Sequence, residues 1–228
     1  MEDDSNASYN EIFGNRMLNV VRSHSFVPEE IYSEKGKTAD DCSLAKVILY
    51  DIVWQARIYA ELRYIDAANC YDSITHAIAS LVFQAFGVPL EAIESMLTSI
   101  EEMKYFLRTT YGDSKCFFDS TIKLKFQGLC QGSGADPAGW SVIGITILCA
   151  HKSKVNGGHF VCPISNLNRH LAALLFVYDT DQININIKAE ETATLANQAI
   201  QDSISNWGHI LIASGGAFKP PKCFYHLI

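Results

Sequence analysis

Apolar positions recur at helical spacing in several parts of this 228-residue chain. In residues 38–59 and 89–107 they return every three or four positions, a spacing that places them on one face of a helix. The predicted helices span residues 38–59, 73–86, 89–107, 137–152 and 190–207, and residues 12–27 predict a short helix followed by an extended segment. The expected buried stripe of the helix over residues 38–59 consists of Leu44, Val47, Ile48, Ile52 and Ile58. Residues 1–11 are acidic and polar, which predicts a disordered N-terminus.

Extended segments separate these helices. A largely apolar run, residues 62–65, leads into Asp66, and a turn over residues 178–181 joins two further strands. The two strands joined by this turn are 171–177 and 182–188, and the remaining predicted strands are 114–118, 121–126 and 223–228. The resulting order is strand, helix, hairpin, helix, strand-turn-strand, helix, strand. It predicts an α+β fold with a helix-backed, mainly antiparallel sheet.

Composition restricts the classes of protein that fit. A hydrophobic content of 48% and a charged content of 19% are values of globular proteins. The net charge of −7 gives no overall electrostatic footprint for nucleic acid, although a local basic strip would be compatible with it. Seven cysteines without C-x-x-C spacing, no signal peptide and no apolar run of membrane-spanning length predict an intracellular protein with no membrane partner.

Two acidic positions are the first candidates for chemistry. Asp66 follows a buried strand, and Asp179 and Asp181 lie in the turn of a hydrophobic hairpin. If the two strand ends are neighbours, the carboxylates could hold Mg²⁺, a hard cation that prefers oxygen ligands. The alternative is that all three acids only cap or form turns. The glycine-rich loop 127–137 either approaches a phosphate or nucleotide closely or is an ordinary loop.

A zinc site is a separate alternative. The pairs Cys149-x-His151 and His159-x-x-Cys162 flank a predicted turn and could converge as four ligands. Against this, Cys149 closes an apolar helix, and neither pair has zinc-finger spacing. No Ser/His/Asp or Cys/His set can be identified from the spacing of the remaining histidines.

Three central segments carry a family resemblance. Residues Asp66–Asp72 resemble the motif D-x-x-x-x-[YF]-D, and Gly128–Ser133 with Pro137 resembles G-x-x-Q-G-S-x-x-S-P. The second match lacks the serine before the proline, and its interval to the proline differs slightly. Residues Phe176–Asp181 resemble the turn [YF]-x-D-D-T, with Tyr178 in place of its first acid.

Two flanking segments extend this pattern over most of the chain. Residues Ser214–Cys223 resemble a segment ending in lysine that follows these motifs. Residues Tyr32–Thr38 with Asp40 resemble a fingers element, with lysine in place of its arginine. Taken in their order along the chain, the five segments resemble a reverse transcriptase (RNA-directed DNA polymerase), in particular that of non-LTR retrotransposons and group II introns.

The resemblance implies a right-hand polymerase palm, a ferredoxin-like βαββαβ sheet backed by helices, over residues 61–228. Residues 12–60 would be a partial fingers segment, and no thumb would be present. Asp66 and Asp179 would be the catalytic metal ligands for Mg²⁺ or Mn²⁺, two ions if the site is intact. The partners would be an RNA template, a DNA primer and a dNTP, with further domains of a longer polyprotein as an additional expectation.

Four more residues receive roles from the same resemblance. Tyr71 would exclude a ribose 2′-hydroxyl, Gln131 would contact the incoming nucleotide, and Lys37 and Lys222 would meet its triphosphate. Tyr178 is the main departure, because a neutral phenol is a poor Mg²⁺ ligand. Losing one anionic ligand is expected to lower turnover by about 10² or more.

Three functions therefore remain open at the level of the sequence. The first is a retroelement reverse transcriptase domain, impaired in this copy. The second is a catalytically inactive palm that acts as a nucleic-acid or protein interaction module. The third is an unrelated metalloenzyme that uses Asp66 and Asp179. If fingers and thumb are missing, helices that normally pack against them should expose an apolar patch.

Overall fold

A computed structural model describes residues 4–120, 126–130, 132–155, 157–161, 165–186 and 193–228. Contacts divide this part of the chain into two compact units, each built from two stretches. The first unit comprises Met1–His24 and Cys70–Val142, and the second Ser25–Asn69 and Ile143–Ile228. The expected boundary between a fingers segment and a palm at residues 60 and 61 stays a prediction. Residues 59–68 form a strand whose partners lie near the C-terminus, and that pairing joins distant stretches of the chain.

Helices and strands are both well represented among the described residues. The helices are α1 (Asp4–Ser23), α2 (Ala39–Ala56), α3 (Cys70–Ser73), α4 (His76–Ala85), α5 (Leu90–Glu101), α6 (Asp136–Lys152) and α7 (Ala193–Ala213), with a 3₁₀ turn at Pro220–Lys222. The strands are β1 (Tyr59–Ala68), β2 (Lys104–Thr109), β3 (Gly112–Asp119), β4 (Gly158–Val161), β5 (Asn168–Leu171), β6 (Ala173–Phe176), β7 (Asp179–Asn186), β8 (Ala217–Phe218) and β9 (Phe224–Leu227). None of the described helices is long and apolar enough to span a bilayer.

The main sheet has the predicted ferredoxin-like order. Among the described residues it contains five strands in the order β6-β7-β1, with β8 and β9 both paired to β1. Every one of these pairings is antiparallel. Along the chain, β1 is followed by helices, the β6–β7 hairpin, α7 and the last two strands, which is a βαββαβ sequence. The expectation of an α+β palm-type sheet is confirmed.

The N-terminal segment differs from its prediction. Residues 4–11, expected to be disordered, form the first part of α1. Asn10 is fully buried, and a Cβ added to Gly134 would lie 2.9 Å from the backbone nitrogen of Glu11. The helix is therefore closely packed at this point by the loop after Gly132. Polar composition alone does not reveal such a tertiary contact, which explains the error.

Helix α2 buries a different face from the one predicted. Its buried residues are Cys42, Leu49 and Val53, which pack with Leu62 and Ile183 of the sheet. The predicted stripe residues Leu44, Val47, Ile48 and Ile52 are between 41% and 58% exposed, and Ile58 lies beyond the end of the helix. Because the helix is apolar on two sides, its period alone cannot identify the side that meets the sheet.

The predicted helix over residues 73–86 is interrupted in the structure. Residues Cys70–Ser73 form the single turn α3, and α4 begins only at His76, with Thr75 as its N-cap residue. In contrast, α2 begins as expected after Thr38. The Thr38 hydroxyl accepts a hydrogen bond from the Asp41 backbone N–H, and the Asp41 carboxylate accepts one from the Thr38 N–H. This reciprocal capping box satisfies two backbone donors at the helix start.

Candidate active site

Two carboxylates face each other at the end of the central strand pair. In the antiparallel register of β1 and β7, Asp66 lies directly opposite Asp179. Residues in such a pair have Cβ atoms about 4.5–5.5 Å apart. The sequence left open whether these acids are neighbours, the family resemblance implied that they are, and the register of the two strands brings them together.

The same face of the strand pair changes from apolar to acidic along its length. Leu62 pairs with Ile183 in the core against α2, and the next pair on this face is Tyr64 with Asp181. Because side chains alternate between faces every residue, Asp181 lies on the same side as Asp179. The pair of Asp66 and Asp179 follows at the exposed end. The hydrophobic core therefore ends directly in a group of three acids.

A tight turn determines where Asp179 begins its strand. Phe176 pairs with Asp179, so the hairpin loop consists of Val177 and Tyr178 alone. The predicted turn over residues 178–181 was therefore displaced, and the acids belong to β7 itself. Val177 adopts a φ of +57°, a left-handed conformation that is rare for a β-branched residue. Such local strain is often found at functional sites.

Lys222 is the cation closest to the paired acids in the described contacts. Its Nζ lies 3.0 Å from Asp66 Oδ2, and the hydrogen bond to Asp66 raises the pKa of Lys222. A backbone hydrogen bond from Lys219 N–H to the Asp66 carbonyl holds the 3₁₀ turn that carries this lysine. The predicted site residue Lys222 is thus next to Asp66.

The electrostatic balance at Asp179 is unfavourable for its charge. Partial burial raises the pKa of Asp179, and repulsion from Asp66 raises it further. Lys222 and Lys46 act in the opposite direction but do not cancel these effects. A carboxylate in this situation is stabilised by any additional cation that reaches it.

Lys46 is a participant that the sequence analysis missed. It projects from α2, and its Nζ lies 2.9 Å from Asp181 Oδ2 and 5.1 Å from the centre of the Tyr64 ring. Asp181 is buried, and this burial raises its pKa despite the lysine. Strand alternation predicted the face on which Asp181 lies, but no local sequence pattern linked Lys46 to it.

These groups surround an open groove of about 520 Å³ within the second unit. One wall comes from the first turns of α2, and the floor comes from the sheet. The lining residues are Ala39, Cys42, Ser43, Lys46, Tyr64, Ile65, Asp66, Phe176, Asp179, Thr180, Asp181, Pro221, Lys222 and Phe224. The groove therefore combines acids, two ammonium groups and aromatic rings, which is suitable for a charged ligand with a flat apolar part.

Lys37 does not line this groove. Its Nζ donates hydrogen bonds to the backbone carbonyls of Glu29 and Ile31, the latter at 2.9 Å, and lies over the Tyr32 ring. Its ammonium therefore closes the loop that precedes α2. Its predicted contact with a triphosphate stays a prediction.

Tyr71 and the glycine loop belong to the first unit. Tyr71 lies in α3 with its ring edge-on to Trp140, and its carbonyl accepts a hydrogen bond from the Leu129 N–H at 2.7 Å. Gly128 donates to the Ile74 carbonyl at 2.8 Å. The two sequence motifs that contain these residues are thus bound to each other through their backbones. Gln131 lies outside the described residues.

His76 also connects α4 with the glycine loop, and the sequence did not indicate it as a site residue. Its Nε2 lies 2.8 Å from the Gly128 carbonyl, and its Nδ1 lies 3.1 Å from Glu101 Oε1. Because Glu101 and Gly128 are distant from His76 in sequence, spacing gave no signal for this arrangement.

The described residues contain no group of three or more His, Cys, Asp and Glu side chains arranged to hold a metal ion. For the zinc alternative, Cys149 is exposed whereas His151 is fully buried against Trp207, and Cys162 lies outside the described residues. The zinc hypothesis receives no support. For Mg²⁺, the candidate set is the pair Asp66 and Asp179.

Comparisons with known proteins identify the fold. No family model and no curated protein sequence matches the chain. Among solved structures, an apo telomerase from Candida tropicalis truncated from its C-terminal domain matches 98% of this chain with a TM-score of 0.59 and 15% identity. Telomerases from Candida tropicalis and Candida albicans in complex with a fragment of telomeric RNA match 96% of it, with TM-scores of 0.59 and 0.56 and identities of 14% and 9%.

The chain corresponds to less than half of each telomerase chain that it matches. The chain spans 41%, 33% and 34% of the three telomerase chains, respectively. At 9–15% identity these matches show a similar fold, and any activity has to be inferred from the residues of the site. Together with the βαββαβ sheet, the comparisons show that the chain has an α+β, polymerase palm-like fold.

Proposed function

We propose that this chain is the palm part of a retroelement reverse transcriptase, of the non-LTR retrotransposon or group II intron type. The reaction would be template-directed addition of a dNTP to a primer 3′-hydroxyl. The observation that carries the proposal is the cross-strand pair of Asp66 and Asp179 at the end of a groove that also contains Lys222. RNA-template binding is supported only by analogy, since two similar telomerases are complexes with telomeric RNA.

The donor set fits a hard divalent cation. Two adjacent carboxylates supply oxygen ligands, and Mg²⁺ commonly binds one or two carboxylates together with substrate phosphates. The raised pKa of Asp179, caused by burial and by the charge of Asp66, indicates an anionic pair that a further cation would stabilise. Asp66 and Asp179 would hold Mg²⁺ or Mn²⁺, which when bound would neutralise charge on the transferring phosphoryl group.

The chain's own residues would bind and orient the nucleotide. Lys222 lies on an exposed turn beside Asp66. Its ammonium would leave the Asp66 carboxylate and bind a triphosphate oxygen once another cation neutralises that carboxylate. Phe224 and Tyr64 would supply flat apolar surface in the same groove. Lys46 would keep the charge of Asp181 balanced. Each of these residues would position the nucleotide, so that its triphosphate lies in the same groove as the paired carboxylates.

Tyr178 would impair the reaction. It occupies the hairpin position next to Asp179 where the family motif has its first acid, and it supplies no anionic ligand. The described carboxylates then suffice for one ion, whereas in-line phosphoryl transfer in polymerases uses a pair. We expect turnover at least about 10²-fold below that of a site with the acid restored.

Primer extension with Mn²⁺ tests the proposal. The assay compares the unchanged chain with Tyr178→Asp, and with a double variant that adds Asp66→Asn as the matched control. Extension that appears in Tyr178→Asp and disappears in the double variant supports the proposed site. Extension that survives Asp66→Asn would contradict the role of the carboxylate pair.

A second candidate function is a catalytically inactive palm that serves as an interaction module. Lys222 and Lys46 favour it, because each already neutralises one of the acids in the groove. Mn²⁺ titration followed by electron paramagnetic resonance distinguishes the two candidates. A chain that binds no Mn²⁺, with Tyr178→Asp equally inert, would favour the module.

A further inference from the structure

We propose that the outer face of α2 is a docking surface for a basic amphipathic helix of a partner protein. This face lies opposite to the side of α2 that packs on the sheet, so the inference goes beyond the proposed function. It concerns an interaction with protein, whereas the groove concerns nucleotide chemistry. The residues that carry it are Leu44, Val47, Ile48, Ile52 and Trp54, together with Asp40 and Asp51.

The apolar residues of this outer face form a continuous exposed row. Leu44, Ile48 and Ile52 follow one another at intervals of four residues, with Val47 beside them. All four are exposed, and Trp54, seven residues or about two turns after Val47, is 77% exposed. Scattered apolar residues are ordinary on a protein surface, but a row along an 18-residue helix is typical of an interaction site. Tryptophan is also enriched among the residues that dominate binding energy.

The charge of the outer face selects the kind of partner. Asp40 and Asp51 are both exposed: Asp40 precedes Leu44 in the first turn of α2, and Asp51 lies between Ile48 and Ile52. The single lysine of the helix, Lys46, points to the other side, where it pairs with Asp181. A surface with exposed carboxylates and an inward-facing lysine repels phosphate backbones and anionic membranes. It attracts an apolar surface flanked by cations.

The geometry of α2 defines where those cations should be. Asp40 and Asp51 are eleven residues apart, which corresponds to about 16 Å along a helix axis. A partner helix with Lys or Arg at positions i and i+11, and apolar residues at i+3, i+4, i+7 and i+8, matches both charges and the apolar residues between them, Leu44, Val47 and Ile48. Because the charge spacing is the same when the helix is reversed, either direction of the partner satisfies it.

A second copy of this chain is a poorer occupant. Pairing two α2 helices would bring Asp40 and Asp51 of one copy towards the same acids of the other, and like charges at an interface are unfavourable. The net charge of −7 on each copy adds to this repulsion.

The test uses two synthetic 18-residue helical peptides. Both have leucine at positions i+3, i+4, i+7 and i+8 and are otherwise alanine and glutamine. One carries Lys at i and i+11, and the matched peptide carries Glu at these two positions. Binding to the full chain is measured by fluorescence anisotropy at two salt concentrations. We expect the Lys peptide to bind about fivefold or more tightly than the Glu peptide, with a smaller ratio at high salt.

Substitutions in α2 then assign the binding to this face. The double variant Leu44→Gln/Ile48→Gln should weaken binding of the Lys peptide about tenfold, because two exposed anchors are lost without disturbing the core. Leu81→Gln, at an exposed position of α4, should leave binding unchanged. The charge exchange Asp40→Lys/Asp51→Lys should reverse the preference, so that the Glu peptide binds more tightly.

Four results would overturn the proposal. Equal binding of both peptides would remove the charge complementarity, and unchanged binding in Leu44→Gln/Ile48→Gln would place the peptide elsewhere. Sedimentation that shows a dimer dissociating in the same variant would identify a second copy as the occupant. Association with phosphatidylserine vesicles through these residues would identify a membrane instead.

Discussion

Asp66 and Asp179 occupy directly opposed positions on β1 and β7, and Lys222 contacts the first of them. The lysine therefore acts as the local counter-ion of an acid pair whose other member, Asp179, retains a raised pKa from burial and repulsion. A metal ion and Lys222 would compete for the same carboxylate. Such competition would weaken the binding of divalent cations at the proposed site.

Removal of that competitor should strengthen metal binding. In Lys222→Gln, the neutral side chain no longer balances Asp66, so we expect the affinity for Mn²⁺ to rise about two- to fivefold, the range of an exposed ion pair. Mn²⁺ titration by electron paramagnetic resonance measures the change. Lys219→Gln is the control, because Lys219 is also exposed and lies three residues away.

The outcome of the Lys222 experiment bears on the ligand set. An unchanged affinity in Lys222→Gln, or an equal rise in Lys219→Gln, would show that Asp66 does not bind the ion. A rise that disappears when Asp66→Asn is added would confirm that the lysine and the metal share this carboxylate.

The central part of the fold could be predicted because local signals agreed. The apolar run before Asp66 identified β1, and the alternating residues after Asp179 identified β7. Together with the helices between them, these strands predicted the α+β fold, and the βαββαβ order was what the family resemblance implied. The position of Asp181 beside Asp179 also followed from strand alternation alone.

Other features depended on which surfaces meet, and sequence patterns do not contain that information. Helix α2 has two apolar sides, and only packing on Leu62 and Ile183 selects the side with Leu49 and Val53. The same packing turns Lys46 towards Asp181. His76 contacts residues 25 and 52 positions away, so its role emerges only when α4, α5 and the glycine loop are in place.

His151 should make stability depend on pH. Complete burial lowers its pKa to about 4 from an ordinary value of 6.5, and its Nε2 has no hydrogen-bond partner among the described residues. Between these two values the unfolded chain binds the proton more readily than the folded chain, so stability falls as the pH falls. The shift corresponds to a loss of about 3 kcal/mol between pH 6.5 and pH 4.

Urea unfolding at a series of pH values measures this effect. In His151→Gln the decrease in the free energy of unfolding across this interval should be smaller than in the unchanged chain. His24→Gln, at an exposed position, is the matched control for replacing a histidine with glutamine. If His151→Gln leaves the slope unchanged, the proton is taken up elsewhere.

Gly128 should tolerate no side chain, because two independent constraints act on it. Its φ is +83°, and an added Cβ would overlap the backbone of Asp72 and lie 2.6 Å from the Tyr71 carbonyl oxygen. Gly36 has a similar φ of +88° but open space around its Cα. Gly36→Ala should therefore cost only the left-handed strain, about 1–2 kcal/mol. Gly128→Ala should cost about 3 kcal/mol or more, since strain and steric overlap add.

Urea unfolding of the two variants measures this difference. If both variants lose the same free energy of unfolding, the loop does not approach α3 as closely as the backbone hydrogen bond from Leu129 to Tyr71 requires.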